Sequence, residues 1–374
     1  MMTVMSQKST YALDYAFLGL VAVLIFFGFF MLASASGPNG YESFGDSFYF
    51  VKHQFIFGLI PGIAALFLFS RIPYFYWKRS AWFLFLLSLF LLVLVFIPGI
   101  GATFGSSRSW ISIGGLFSLQ PAEIVKLTFL FYLAAWLEKQ GQEGVRNWAS
   151  GFLPFVTVLG MMMFLLAFQP DIGTMAIIVG MSMVVYFVAG ASWKHLAILI
   201  SGGIGLLLLL IKIAPYRAAR LTTFLSPEFD PQGIGYHINQ ALLAIGSGGL
   251  FGLGYGHSRQ KFQYLPEVSG DSIFAIIGEE MGFMIACLVV IGFLWFFLKA
   301  VKIAKTSPDP FGRYLVIGIA SWIMFQAFVN IGSMVSIMPI TGVTLPFISY
   351  GGTSLAVCLA GIGVILNVST YRKL

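Results

Sequence analysis

Apolar stretches about as long as a bilayer is thick recur from residue 13 almost to the end of this chain, and no other feature constrains its fold as much. A membrane-crossing helix needs about 20 apolar residues. Ten such runs are read, at about 13–35, 54–70, 80–97, 121–137, 153–170, 172–190, 194–213, 272–298, 313–335 and 346–368. Charged residues make up 9% of the 374 and apolar ones 59%, whereas soluble domains carry about 25% charged residues. A water-soluble domain of this size is excluded. A β-barrel is excluded too, since its strands would alternate with period two over about 10 residues. The expected fold is an all-α polytopic membrane protein, one integral membrane domain over residues 1–374 with about ten transmembrane helices.

The first run resembles a signal peptide, because Ala33-Ser34-Ala35 mimics a small-x-small cleavage site. It is longer than a typical h-region of about 7–15 residues, so an uncleaved helix is expected. Cys287 and Cys358 lie within apolar runs, which argues against a disulfide framework or a cysteine metal site. The net charge of +7 calls for no nucleic acid; what matters is where the positive charges fall.

With the N-terminus in the cytoplasm, the inner side holds Lys8, Arg71, Lys78, Arg79, Lys139, Arg146, Lys194, Lys299, Lys302, Lys305, Arg313, Arg372 and Lys373. The outer side holds Lys52, Arg108, Lys212, Arg217, Arg220, Arg259 and Lys261, and Lys126 sits inside a span. That asymmetry favours both termini inside. Five of the outer charges cluster in residues 212–271, a long outer loop (about 214–271) between the seventh and eighth spans. Loops this long are usually functional. It carries Gly246, Gly248, Gly249, Gly252, Gly254 and Gly256, and Tyr236–Ile245 has helical periodicity suited to the membrane interface. No cytoplasmic loop could hold a nucleotide-binding domain, which argues against use of ATP or a sugar nucleotide.

Ionisable groups inside a membrane are costly and by default mark function. Glu123 and Lys126 stand three apart on one face of the fourth span; a structural ion pair and a substrate-facing pair fit equally. Asp171, after Gln169-Pro170, reads as an N-cap of the sixth span rather than as a chemical group. Asp271 ends the long loop as the eighth span begins, beside basic residues, and could cap the helix or accept a proton from a hydroxyl nucleophile. Glu279 and Glu280 lie deep enough to need cationic partners. His53, His195, His237 and His257 lack metal-ligand spacing, and no dinucleotide fingerprint, Walker motif or serine elbow is present. A basic, glycine-rich outer loop ending in a carboxylate suits an anionic lipid-linked ligand.

The motifs resemble those of the SEDS family, the FtsW/RodA/SpoVE group. Those that match in family order are Arg108-Ser-Trp110-Ile111, Gln120-Pro121-Ala-Glu123, Gln169-Pro170-Asp171-Ile-Gly173-Thr174, Ala244-Ile-Gly246-Ser-Gly248-Gly249 and Tyr264-Leu-Pro266-Glu267 with Asp271 and Gly278-Glu279-Glu280. Asn330-Ile-Gly and the run Pro339-Ile-Thr-Gly342 through Pro346-Phe-Ile-Ser349-Tyr350-Gly351-Gly352-Thr353-Ser354 resemble the family signature. Ser258-Arg259-Gln260-Lys261-Phe262 is more similar to the FtsW/SpoVE side than to RodA. Two departures stand out. The family usually has His-Thr before the acid and Phe after it, where this chain has Ser269, Gly270 and Ser272; and Ser336 replaces the usual Gly, Thr or Arg.

The resemblance implies a peptidoglycan glycosyltransferase that polymerises lipid II on the outer face of the cytoplasmic membrane, during division, elongation or sporulation. Asp271 would be the catalytic base. Arg108, Arg217, Arg220, Arg259 and Lys261 would hold the leaving pyrophosphate, Glu123 and Lys126 would line the cavity, and Glu267, Ser349 and Gly351 complete the implied substrate-binding set. The implied partners are lipid II, membrane lipids and a class B penicillin-binding protein. No resident metal is expected, and a divalent cation, Mg or Mn, is the one cofactor left open. The alternatives are a lipid II flippase, against which the lack of an inverted repeat argues, and a non-catalytic scaffold.

Overall fold

The computed structural model describes residues 14–104, 107–113, 117–169, 171–213, 224 and 233–371. Helices occupy the apolar runs: α1 (Tyr15–Phe44), α2 (Tyr49–Arg71), the short α3 (Phe75–Arg79), α4 (Ala81–Leu94), α5 (Pro121–Arg146), α6 (Trp148–Phe168), α7 (Ile172–Val188) and α8 (Trp193–Ile213). After the long loop come α9 (Ile234–Ser247), α10 (Ile273–Lys305), α11 (Pro310–Met334) and α12 (Gly352–Ser369). By length and composition, α1, α2, α6, α10, α11 and α12 can each cross a membrane, and α4 and α7 are shorter apolar helices. The protein is a multi-pass membrane protein. Helices α11 and α12 are its centre, mostly buried, while α2 and α10 turn most of their surface outward.

The helices differ in length from the apolar runs for identifiable reasons. Helix α1 runs to Phe44 rather than residue 35, and ends where Gly45 turns left-handed at φ 70°. Its 30 residues span about 45 Å at 1.5 Å per residue, more than a hydrocarbon core of roughly 30 Å. Ala33-Ser34-Ala35 lies inside it, with Ala35 fully buried. Helix α5 continues to Arg146 rather than 137, and α10 to Lys305 rather than 298, because charged residues extend both beyond the apolar zone. The last helix starts at Gly352, not 346, since residues 335–351 are non-helical, with Val343 and the run from Leu345 to Ser349 buried. Between α4 and α5, where only a loop was expected, stands an antiparallel meander of β1 (Gly101–Phe104), β2 (Ser107–Ile113) and β3 (Phe117–Leu119), with Ala102 opposite Trp110 and Ser112 opposite Ser118. Ser109 fastens it to the α6–α7 break by donating to the Gln169 carbonyl at 3.1 Å.

The glycine-rich run is a packing seam. Helix α10 unwinds at Gly282 (φ 77°, ψ 178°), about 13 Å along from its start at 1.5 Å per residue. Peptide groups freed there have no water in a bilayer core and must be satisfied internally. Leu253 N and Gly254 N donate to the Glu279 and Glu280 carbonyls at 2.9 and 3.0 Å, and Phe283 N and Met284 N donate to the Gly249 and Leu250 carbonyls at 2.9 and 3.2 Å. The two backbones approach so closely that a Cβ on Gly282 would lie 2.3 Å from Gly252 N, and one on Gly252 would lie 2.2 Å from the Glu280 carbonyl oxygen.

Gly282→Ala therefore has a backbone penalty of about 1–3 kcal/mol for the left-handed conformation, with steric overlap added. Thermal unfolding in detergent should show a clear fall in midpoint. An Ala variant as stable as wild type would mean that the seam is not close-packed.

Candidate active site

The carboxylate singled out in the sequence sits on a turn, residues 266–272, that four parts of the chain hold. Glu267 adopts φ 50°, and its carbonyl accepts from Gly270 N at 2.9 Å and Ser272 N at 3.2 Å. From α11, Asn330 Nδ2 donates to the Asp271 carbonyl and to the Val343 carbonyl, both at 2.7 Å. Tyr350 N donates to the Ser269 carbonyl at 2.8 Å. From α9, His237 Nε2 lies 2.7 Å from Ser272 Oγ. The turn is thus fixed through its backbone and through Ser272. Asp271 itself is 9% exposed, and its Oδ1 has Ser272 Oγ at 3.4 Å. Ser272, not Asp271, occupies the N-cap position of α10, so the geometry does not make Asp271 a helix cap. Asp171 does cap: its Oδ1 accepts from Thr174 N at 2.9 Å.

The segment 335–351 runs beneath this turn, and nearby side chains meet its backbone polar groups. Gln326 Nε2 donates to the Thr344 carbonyl at 3.1 Å, and Ser349 Oγ accepts from Leu345 N at 2.7 Å. Gln54 of α2 accepts from Gly351 N at 2.9 Å through Oε1 and donates to the Ser349 carbonyl at 3.3 Å through Nε2. Tyr350 OH meets His53 Nδ1 at 2.9 Å. This corrects two expectations. Gly351 N is taken by Gln54, and Ser349 Oγ already accepts from backbone, so both shape the loop. Ser336, where the family usually has Gly, Thr or Arg, adopts φ 56°.

Two buried ion pairs account for most of the deep charges. Lys261 Nζ donates to Glu280 Oε1 at 2.8 Å, to Ser34 Oγ at 2.9 Å and to the Gly256 carbonyl at 2.7 Å. An ammonium has three donors, and all are in use. Lys261 is therefore corrected from pyrophosphate ligand to an internal tie joining α1, α10 and the seam. Glu279 accepts from Ser258 Oγ and from Arg259 N at 2.9 Å; Glu280 also accepts from Ser34 Oγ at 2.7 Å. In the second pair, Lys126 Nζ donates to Glu123 Oε1 and to Gln326 Oε1, both at 2.7 Å, and lies 5.0 Å from the Trp322 ring centroid. Lys126 is wholly buried, so its contact with a ligand is blocked by its own partners. Glu123 Oε2 makes no hydrogen bond among the described residues, which leaves Glu123 as the member of the pair with capacity to spare.

The remaining expected ligands are spread differently. The Arg259 and Glu267 side chains are exposed, and Arg108 lies on β2. Arg217 and Arg220 lie outside the described residues. Among the described residues no three His, Cys, Asp or Glu side chains gather in a group that could hold a metal ion. Asn330, Gln54, Tyr350 and His237 were not picked out as site residues from the sequence. Asn330 and Tyr350 lie in the signature run, and His237 shares the buried face of α9 with Ala241 and Ala244, but their partners are far along the chain.

Comparison with known proteins adds the family. A family model described as cell cycle protein, covering FtsW, RodA and SpoVE, matches residues 15–374. Stage V sporulation protein E of Bacillus subtilis is 42% identical over 358 residues, 95% of this chain and 96% of that protein. A probable peptidoglycan glycosyltransferase FtsW of Trichlorobacter lovleyi is 40% identical over 364 residues, 96% of this chain and 94% of its own. Among solved structures, a chain of a peptidoglycan synthase complex that coordinates polymerization and crosslinking superposes with a TM-score of 0.80 at 28% identity, over 96% of this chain and 98% of that one. The rod shape determining protein RodA of Thermus thermophilus gives 0.71 at 29% identity, over 98% and 99%.

The pairs predict a stability effect. Lys126→Met and Lys261→Met each strand a buried carboxylate, at a loss of about 3–5 kcal/mol. The doubles Glu123→Gln/Lys126→Met and Glu280→Gln/Lys261→Met should recover much of it. Thermal unfolding in detergent reads all four, and single variants with wild-type midpoints would contradict the pairing.

Proposed function

The chain belongs to the FtsW/RodA/SpoVE family and is a peptidoglycan glycosyltransferase, and from that premise we propose that Asp271 is the general base of lipid II polymerisation at the outer face of the cytoplasmic membrane. The observation that carries this reading is the turn itself. An acid at the mouth of the basic loop is held by Asn330, Tyr350, His237 and the Glu267 carbonyl, all acting on its neighbours or its backbone. A base whose position is fixed in this way meets the geometric requirement of proton abstraction, which comes before its pKa.

In the proposed step a hydroxyl of the acceptor sugar gives its proton to the Asp271 carboxylate as its oxygen attacks the anomeric carbon of the second chain. The bond to the pyrophosphate breaks, and undecaprenyl pyrophosphate leaves with the electron pair. Negative charge grows on that leaving group, and fixed positive charge placed there lowers the barrier. Exposed Arg259 takes this role, and Arg108, Arg217 and Arg220 are proposed to share it; guanidinium groups bind phosphate oxygens in a bidentate fashion. In the Glu123–Lys126 pair, the carboxylate oxygen without a hydrogen bond among the described residues leaves Glu123 with acceptor capacity. The similarity to a chain of a peptidoglycan synthase complex supports a class B penicillin-binding protein as partner. The lysine and arginine asymmetry supports cytoplasmic termini.

Asp271→Asn is nearly isosteric and should keep its fold and partner while polymerisation falls by about 10²–10⁴. Glycan ladders from lipid II measure it, and a near wild-type ladder would sink the assignment. Arg259→Ala should weaken lipid II binding roughly tenfold or more, the scale of one charge-assisted hydrogen bond, with an unchanged thermal midpoint. Unchanged affinity would return Arg259 to the solvated surface.

A further inference from the structure

We infer that His237 is a positioning residue for the catalytic turn, tying the outer-loop helix α9 to Asp271 through the Ser272 hydroxyl; this rests on the proposed role of Asp271. The argument begins with counting protons. Ser272 Oγ lies 2.7 Å from the Pro266 carbonyl oxygen and 2.7 Å from His237 Nε2. A carbonyl only accepts, and a hydroxyl has one proton. Ser272 therefore donates to Pro266, and its lone pair accepts from the Nε2–H of His237. The reverse arrangement would leave two oxygens 2.7 Å apart with no proton between them. Burial pushes the imidazole down to about 4, so His237 is neutral at ordinary pH and its single N–H is committed to Ser272. A proton relay from Asp271 to His237 is not available in this arrangement, because Nε2 has no lone pair to offer.

The tie has a mechanical consequence. Helix α9 lies along α10 with Ile238, Ala241 and Ala244 buried. Its far end is pinned where a Cβ on Gly248 would lie 2.0 Å from the Gly278 carbonyl oxygen. His237 pins the near end, so the helix that leads out of the basic loop cannot shift without pulling on the turn. The residue after the acid is Ser272 where the family usually has Phe. A Phe could hold the turn by packing alone. This chain uses a hydrogen bond, which requires a donor at position 237.

The test uses the full chain co-expressed with its class B transpeptidase, with lipid II as substrate and glycan ladders as readout. His237→Phe and Ser272→Ala should each lower kcat about five- to tenfold, the equivalent of one net hydrogen bond of about 1 kcal/mol, with KM for lipid II unchanged. The double variant should be no worse than the singles, as expected of two residues acting through one bond. His237→Gln keeps an N–H donor and should restore most of kcat. Unaltered kcat in His237→Phe, additive losses in the double, or no rescue by Gln would overturn the inference while leaving Asp271 in place. A wild-type ladder from Asp271→Asn would instead overturn the reading on which it rests.

Discussion

A peptide group that leaves a helix inside a bilayer has no water to bond, and each one left unpaired costs several kcal/mol. Most of what distinguishes this protein from a plain bundle follows from that constraint. Residues 335–351 and the seam at Gly282 both depart from helix, and in both the freed backbone is met by specific donors and acceptors: Gln54, Gln326, Asn330 and Ser349 in one, the Gly249–Gly254 backbone in the other. The turn bearing Asp271 is tied to the first of these. Asn330 spends one amide proton on segment 335–351 and the other on the Asp271 carbonyl. Tyr350 ties the same segment to Ser269. The turn that bears Asp271 is therefore positioned by the same bonds that make irregular backbone tolerable in a membrane.

Charge obeys the same rule. Lys261 with Glu280 and Lys126 with Glu123 are buried and paired, each lysine surrounded by its own acceptors. They do not form a polar path through the membrane of the kind that moving a pyrophosphate across it would need. Arg259, by contrast, is exposed. That division favours chemistry at the surface over transport through the core.

How much of this could be read from the sequence differs by element. Membrane helices are local: length and apolarity decide them, so each apolar run overlaps a helix, and among the described residues six helices are long and apolar enough to cross a membrane; Asp171 before Ile172 is recognisable as a cap. Asp271 stood out by its place at the end of the basic loop. Three features did not follow from local pattern. The meander at 101–119 is short and Gly/Ser-rich, and its pairing is set by register. The glycines at 246–256 have the composition of a mobile loop, and only their partner Gly282 makes them a seam. Lys261, Ser349 and Gly351 resembled ligands because the polar groups that bind a substrate are also those that satisfy buried backbone. Only the long-range contacts, Lys261 to Ser34 or Gln54 to Gly351, separate the two uses.

The central claim is that an acid held at the outer surface performs glycosyl transfer there. The most direct measurement supplies labelled lipid II to the outer face of vesicles containing the wild-type protein and its transpeptidase partner, without nucleotide. Glycan strand length and lipid II crossing are followed in the same sample. The account predicts glycan ladders, with released undecaprenyl pyrophosphate in step with polymer and no requirement for lipid II to cross the bilayer. Lipid II that crosses the membrane while no polymer forms would contradict it.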